Sequence, residues 1–397
     1  MRIGRALAGR LPGARNGPQA RRLRPFAVED TTVQLVWGHL GPGPVHVRAA
    51  DTDLHVVTDG GPGGVVLEEL PPGRPIEIVL SGEGVPGGRL LVPTRTLDRL
   101  PGEELFRLAT ISDLHLGSVA FGYRHTIVEE DSPLVPHPER CAGAAIDDLM
   151  AWGAQRLVVK GDVTESGHAW EWRAFGRIMA EPVARSIPVD VIAGNHDLSA
   201  RKSIEPAAAL VALDLGLALA GGVEVVDLPG LRLVLVDATQ PGHNHGRLFH
   251  RVDEVVRSVR GARGGALIAL HQHLQPHLVT EGWPWGVPWH ESRQFIDAVA
   301  AAHPDTIITS GHTHRHRRWQ RRGVTITQVG SPKDFPGVWA GYVVHEGGIR
   351  QIVRRITRPD CITCTERTRA AAFGAWGLAA PGRPSDRTFN LTWGSAH

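Results

Sequence analysis

Six apolar runs, each ending in a polar residue, constrain the fold of this chain more than any other feature. They are "FRLATISDLH", "RLVVKGD", "VDVIAGNHD", "LRLVLVDAT", "ALIALHQH" and "TIITSGHTH", and they lie between Phe106 and His314. Short continuous apolar runs suit strands buried on both faces. Between them lie stretches of helical character near residues 139 to 153, 168 to 181, 203 to 220, 247 to 260 and 291 to 302. Strands alternating with helices predict an α/β layered domain. In open sheets of that kind ligands collect beyond the carboxyl ends of the strands, where these polar residues stand.

Five of the six ends carry metal-type donors: Asp113 and His115, Asp162, Asn195 with His196 and Asp197, His271 and His273, and His312 and His314. Residues i and i+2 of a strand face the same side, so Asp113 with His115, and His312 with His314, can each aim two donors at one place. Carboxylates and imidazoles converging from separate strands suit first-row metal ions. Buried with no partner, each such group would cost about 1 to 3 kcal/mol. Gly161, Gly194 and Gly311 precede the donors, where a sharp turn and close approach are needed. A single "GD" or "HxH" is common in any chain; five donor-bearing ends in order are not.

This order resembles the calcineurin-like metallophosphoesterase superfamily, whose pattern D-x-H, G-D, G-N-H-D/E, H, G-H-x-H is matched from Asp113 to His314. Within it, "ALHQHLQP" is similar to the His-rich fourth motif of the bacterial cyclic-nucleotide phosphodiesterase branch. The resemblance covers roughly residues 106 to 350. It implies a four-layer α/β/β/α sandwich and two metal ions, divalent or mixed-valence, drawn from manganese, iron and zinc. One ion would be held by Asp113, His115, Asp162 and His314, and the other by Asp162, Asn195, His271 and His312. His273 competes with His271 for the second set. His196 is then expected to protonate the leaving alkoxide, with Asp197 orienting its ring. The expected reaction is in-line hydrolysis of a small phosphoester by metal-bound hydroxide, a phosphodiester and specifically a nucleotide-like one being favoured. A phosphomonoesterase and an inactive scaffold of the same fold are the alternatives. The scaffold reading expects a lost donor, and none is missing. Purple acid phosphatases also join a β domain to this core, but their pattern has glycine where His115 stands and a tyrosine ligand where Glu165 stands.

The rest of the chain sets context. A formal net charge of +2 argues against nucleic acid as a partner, and no apolar run approaches the ~20 residues of a membrane span. Three cysteines are too few for a disulfide framework and suggest the cytoplasm. The first 25 residues carry seven arginines and no acid, and are expected to be disordered. Residues 26 to 100 alternate in short runs broken by Gly and Pro, which predicts a small all-β sandwich resembling a fibronectin III module. Residues 106 to 350 form the expected catalytic domain, and 351 to 397, with the lone pair Cys361 and Cys364, an irregular extension. Substrate selection is expected from three loops: Tyr123, Arg124 and His125; His243, His245 and Arg247; and Trp283, Trp285 and Trp289, whose rings offer faces for a base.

Overall fold

The structure is a computed structural model that describes residues 22–122, 127–129, 134–278 and 284–394. Its layering follows from the alternation of side chains along buried strands. In the strand Arg156–Lys160, Leu157 and Val159 pack with Cys141, Leu149 and Phe175 of the helices His137–Ala151 and Ala169–Ala184, while Val158 faces the other way. In the strand Leu231–Val236, Leu233 and Leu235 meet Val158 in a middle layer. Val234 and Val236 pack with Val255, Val259 and Phe295 of the helices Val252–Arg260 and Trp289–Ala302. Three apolar layers therefore separate helices, sheet, sheet and helices, and each large aliphatic side chain fully buried in them contributes roughly 1.5 to 3 kcal/mol. This is the α/β/β/α sandwich expected from the sequence.

The first sheet runs, in spatial order, Ala218–Leu219, Val189–Ile192, Arg156–Lys160, Glu104–Ile111, Val338–His345, Gly348–Arg355 and Phe389–Thr392. Its first four strands are parallel. The second sheet runs Val223–Leu228, Leu231–Val236, Gly265–Ala269, Thr306–Ser310, Val324–Gln328 and Arg317–Arg321, with a parallel centre. Residues 113, 162, 195, 271 and 312 follow directly on the carboxyl ends of parallel strands. The sixth run ends differently: Asp237 accepts from Thr239 N at 2.9 Å and from the Thr239 hydroxyl, closing its own turn.

Before these sheets, a three-stranded sheet (Arg24–Val28, Val33–Trp37, Gly63–Leu67) and a four-stranded sheet (Thr52–Asp59, Pro42–Ala49, Pro75–Ser81, Arg89–Arg95) enclose a separate core of Val33, Leu35, Val47, Ile78 and Leu80. They are fastened to the strand Gly348–Arg355. Gln34 exchanges hydrogen bonds with the Arg355 backbone at 2.7 and 2.8 Å, and Glu29 pairs with Arg354 at 2.6 Å.

Three expectations change. The tail assigned as disordered to residue 25 yields a strand from Arg24, and residues 1 to 21 lie outside the described residues. The helix expected over 203 to 220 is confined to Pro206–Ala212, because Asp214 and Gly216 adopt left-handed backbone and turn the chain into a short strand. The extension expected to be irregular folds into the helix Pro359–Arg367, several single turns, and the strand Phe389–Thr392 that completes the first sheet. Those elements are too short to show a period in sequence.

Candidate metal centre

Donor atoms from both sheets meet at one edge of the sandwich. Asp113, His115 and His314 offer ligand atoms all within 4.8 Å of one another, and so do Asp162, His271 and His312. Asp162 lies between the two groups, its Oδ2 being 3.6 Å from His115 Nε2 and 3.2 Å from His271 Nε2. Asn195 Oδ1 stands 3.2 Å from the same His271 nitrogen. His273 is not in either group; it is buried and stacked on His312.

The local backbone is unusual at these positions. Asp113, His115, Asp162, His312 and His314 all have positive φ, between 46° and 67°. Left-handed backbone costs a side-chain-bearing residue roughly 1 to 2 kcal/mol, so five such residues at one place mark a functional demand on the geometry. The preceding glycines are required by close approach. A Cβ on Gly194 would come within 2.2 Å of the Asp162 amide and carboxylate, and one on Gly311 within 1.8 Å of Ser112 Oγ.

The protonation pattern shows what the cluster can hold. A neutral imidazole carries one N–H. His115 Nδ1 donates to Glu165 at 2.9 Å, His314 Nδ1 to Asp334 at 2.6 Å, His271 Nδ1 to the Lys160 carbonyl at 2.8 Å, and His312 Nε2 to the Trp285 carbonyl at 3.1 Å. The four inner nitrogens are left with lone pairs that face each other. His115 Nε2 and His314 Nε2 are 3.1 Å apart, and His271 Nε2 and His312 Nδ1 are 3.2 Å apart. Opposed lone pairs at that distance need a cation or a proton between them. With no metal the proton serves. Burial lowers the basicity of His271, but Asp162 reverses this and lifts it to about 9; burial likewise opposes His314, and Asp334 with Asp113 lifts it to about 10. Their neighbours stay neutral, burial taking His115 down to about 4 and His312 to about 3. Burial alone would raise Asp113 and Asp162, yet His314 and His271 hold both well below the usual carboxylate range. The donor set of imidazole, carboxylate and amide oxygen, with outer nitrogens fixed by oxygen acceptors, fits a pair of transition-metal ions.

No family model matches the sequence. Over 232 residues the chain is 33% identical to a protein of Rhodococcus erythropolis named "Probable cyclic nucleotide phosphodiesterase", a match that spans 56% of this chain and 70% of the other. The chain belongs to the calcineurin-like metallophosphoesterase superfamily. Distant likenesses among solved structures include a dimetal phosphatase from Danio rerio, 14% identical, covering 74% of this chain and 100% of the other at a TM-score of 0.48. Another is a purple acid phosphatase from yellow lupin (Lupinus luteus) seeds, 13% identical, covering 83% and 71% at a TM-score of 0.43. At the level of the superfamily this metallophosphoesterase is a phosphoester-hydrolysing enzyme. No helix among its described residues is long and apolar enough to cross a membrane.

The metallophosphoesterase also corrects the reading of its own motifs. Asp197 does not orient His196. Its carboxylate is fully buried and accepts from Gly194 N at 2.9 Å, Thr164 N at 2.8 Å and Thr164 Oγ1 at 2.7 Å, tying two strand ends together, while burial raises it to about 6. His196 is oriented instead by the Glu165 carbonyl, which accepts from its Nδ1 at 2.8 Å, and its amide donates to Asp162 at 2.8 Å. A cavity of about 450 Å³ opens over the donors, and His196 and Asn244 line it. In the loop "QPGHNHGRL" it is Asn244, not the expected His243, His245 or Arg247, that reaches the site, where its Oδ1 accepts from Asn195 Nδ2 at 3.4 Å. Trp285 contributes its carbonyl rather than its ring, and Trp289 starts a helix under Arg293, 4.9 Å from ring centre to guanidinium. Tyr123, Arg124, His125 and Trp283 lie outside the described residues. Asp334 and Asn244 carried no signal in the sequence, since neither ends an apolar run.

Proposed function

We propose that this protein is a two-metal phosphodiesterase acting on a small, nucleotide-like ester, with Asp113, His115, Asp162 and His314 holding one ion and Asp162, Asn195, His271 and His312 the other. The observation that carries this reading is the set of four inner imidazole nitrogens and two carboxylates facing one another beneath an open cavity. Bound there, the ions would acidify a water and neutralise charge on the phosphoryl oxygens. Asp162 would contribute to both sites, its Oδ2 lying near His115 and His271 while its Oδ1 accepts from the His196 amide. His196, its Nδ1–H held by the Glu165 carbonyl, presents its other nitrogen for delivery of a proton to the leaving alkoxide, so that water and diester give monoester and alcohol. Support for a diester over a monoester comes from charge. Among the described residues lining the cavity none is Arg or Lys, so beyond the ions and the proton that His196 would supply, the second negative charge of a monoester dianion meets no further side-chain cation.

The test is hydrolysis of bis(p-nitrophenyl) phosphate beside p-nitrophenyl phosphate, with added manganese, by wild type and Asp162→Asn. Metal-dependent diester turnover that is lost in the variant is the expected result. Preference for the monoester would move the reading to a phosphatase, and metal-loaded protein inert toward both would sink it.

A further inference from the structure

The cavity above the donors has a mixed lining. Its polar lining includes Asn195, His196 and Asn244, with Asn195 and Asn244 hydrogen-bonded, and its apolar lining Phe121, Ala371, Ala372 and Trp376, with the two aromatic rings in contact. Three of those four residues come from the extension after the catalytic sheets, a segment with no part in the metal motifs. Its position over the cavity is fixed at several points. Trp376 Nε1 donates to the Phe335 carbonyl at 3.1 Å, His316 N donates to the Ala380 carbonyl at 2.9 Å, and Arg317 donates to the Ala379 carbonyl at 3.0 Å. At the rim, Ala372, Phe373 and Gly374 take left-handed backbone in succession, with φ of 51°, 56° and 86°. Two of these are strained for residues with a Cβ, and the reversal they make sets Trp376 back against the cavity.

We infer that Trp376 and Phe121 form a stacking platform for a flat aromatic group on the substrate, and that this wall confers preference for base-bearing esters. The rings lie 5.6 Å apart at 56°, so together they present an aromatic corner rather than a closed core pair. The indole N–H is already satisfied by Phe335, which leaves the ring only its π surface and edge to offer. Alanines at 371 and 372 keep the space beside it open. A volume of about 450 Å³ is within the range of mononucleotide-sized ligand sites. The phosphate would then lie over the donors and the base against the wall. This deepens the proposed reading of the same site, placing selectivity in Trp376 and not in the tryptophans at 285 and 289.

Binding separates this inference from the hydrolytic one. Metal-loaded wild type, Trp376→Ala and Trp376→Phe are titrated calorimetrically with adenosine 5′-monophosphate and with ribose 5-phosphate, and the same preparations are assayed on bis(p-nitrophenyl) phosphate. Stacking on one aromatic ring corresponds to roughly 5- to 150-fold in affinity. Wild type is therefore expected to bind the nucleotide at least about fivefold more tightly than the sugar phosphate. Trp376→Ala should abolish that ratio and Trp376→Phe should keep most of it. Equal affinities in wild type, a ratio that survives in Trp376→Ala, or one lost as fully in Trp376→Phe would overturn the inference. Preferential nucleotide binding without any diester turnover would instead overturn the hydrolase and leave the platform standing.

Discussion

Metal loading of this site should be coupled to proton release, and the coupling can be worked from the structure. Without metal, His271 and His314 each hold a proton near neutral pH, at about 9 and about 10, because Asp162 and the pair Asp334 and Asp113 outweigh their burial. A metal must displace that proton to reach the inner nitrogen. Each ion then releases one imidazole proton, and its apparent affinity rises tenfold per pH unit below the relevant value. Between pH 6 and pH 8 this amounts to about 2.7 kcal/mol per ion. Calorimetric titration with manganese at pH 7.5 in buffers of different ionisation enthalpy counts the protons. At least two per chain are expected, and any proton lost by a bound water adds to them. Asp334→Asn provides the internal control. Without that carboxylate, 2.6 Å from His314 Nδ1, the imidazole gives up its proton at lower pH, and the count at pH 7.5 falls by up to one. Affinities that do not change with pH, or a release count of zero, would refute the account of the lone-pair pairs.

Three further outcomes follow from the same geometry. His196→Ala should lower kcat on the diester by roughly 10² to 10⁴ while metal content, read by elemental analysis, stays at the wild-type value. Gly194→Ala should lose metal and fold less stably, since the added Cβ lands 2.2 Å from Asp162; metal stoichiometry and a denaturant midpoint read both, and a fully loaded variant would contradict the close-approach argument. Asp148→Asn addresses stability. Burial raises the Asp148 carboxyl to about 6 against an ordinary 3.8, so wild type has a stabilising contribution below about pH 4 that is lost as pH rises through 6. The variant should therefore be more stable than wild type at pH 7, by up to about 3 kcal/mol, and lose that advantage at pH 4. Equal unfolding free energies at both pH values would contradict it.

The layers and the donor-bearing ends were legible because both rest on local rules. Leu157, Val158 and Val159 announce a strand buried on two faces, and Asp113 with His115 announces donors where that kind of strand stops. What stayed hidden depends on long-range packing. Glu165 reaches His115 only once the strands Glu104–Ile111 and Arg156–Lys160 have paired, and Asp334 reaches His314 only once the chain has folded back over the site. The sequence neighbours His196 and Asp197 suggest a dyad, yet the turn between them sends one ring to the cavity and the other carboxylate into the core. Trp376 lies beyond the recognisable motifs, in a stretch whose turns are too short to carry a period, so its place at the cavity is visible only in three dimensions.

The donors do not belong to one sheet. Asp113, His115, Asp162 and Asn195 follow strands of the first, whereas His271, His312 and His314 follow strands of the second. The pairings of His115 with His314, Asp162 with His271, Asn195 with His271 and Asp113 with His314 therefore cross the seam of the sandwich, and ions seated there would act as clasps resisting shear of one sheet over the other. The middle apolar layer alone is non-directional and tolerates slippage. Stripping the site would then do more than silence it: the two halves would lose the fixed point that sets their registry, and resistance to proteolysis would decline together with turnover.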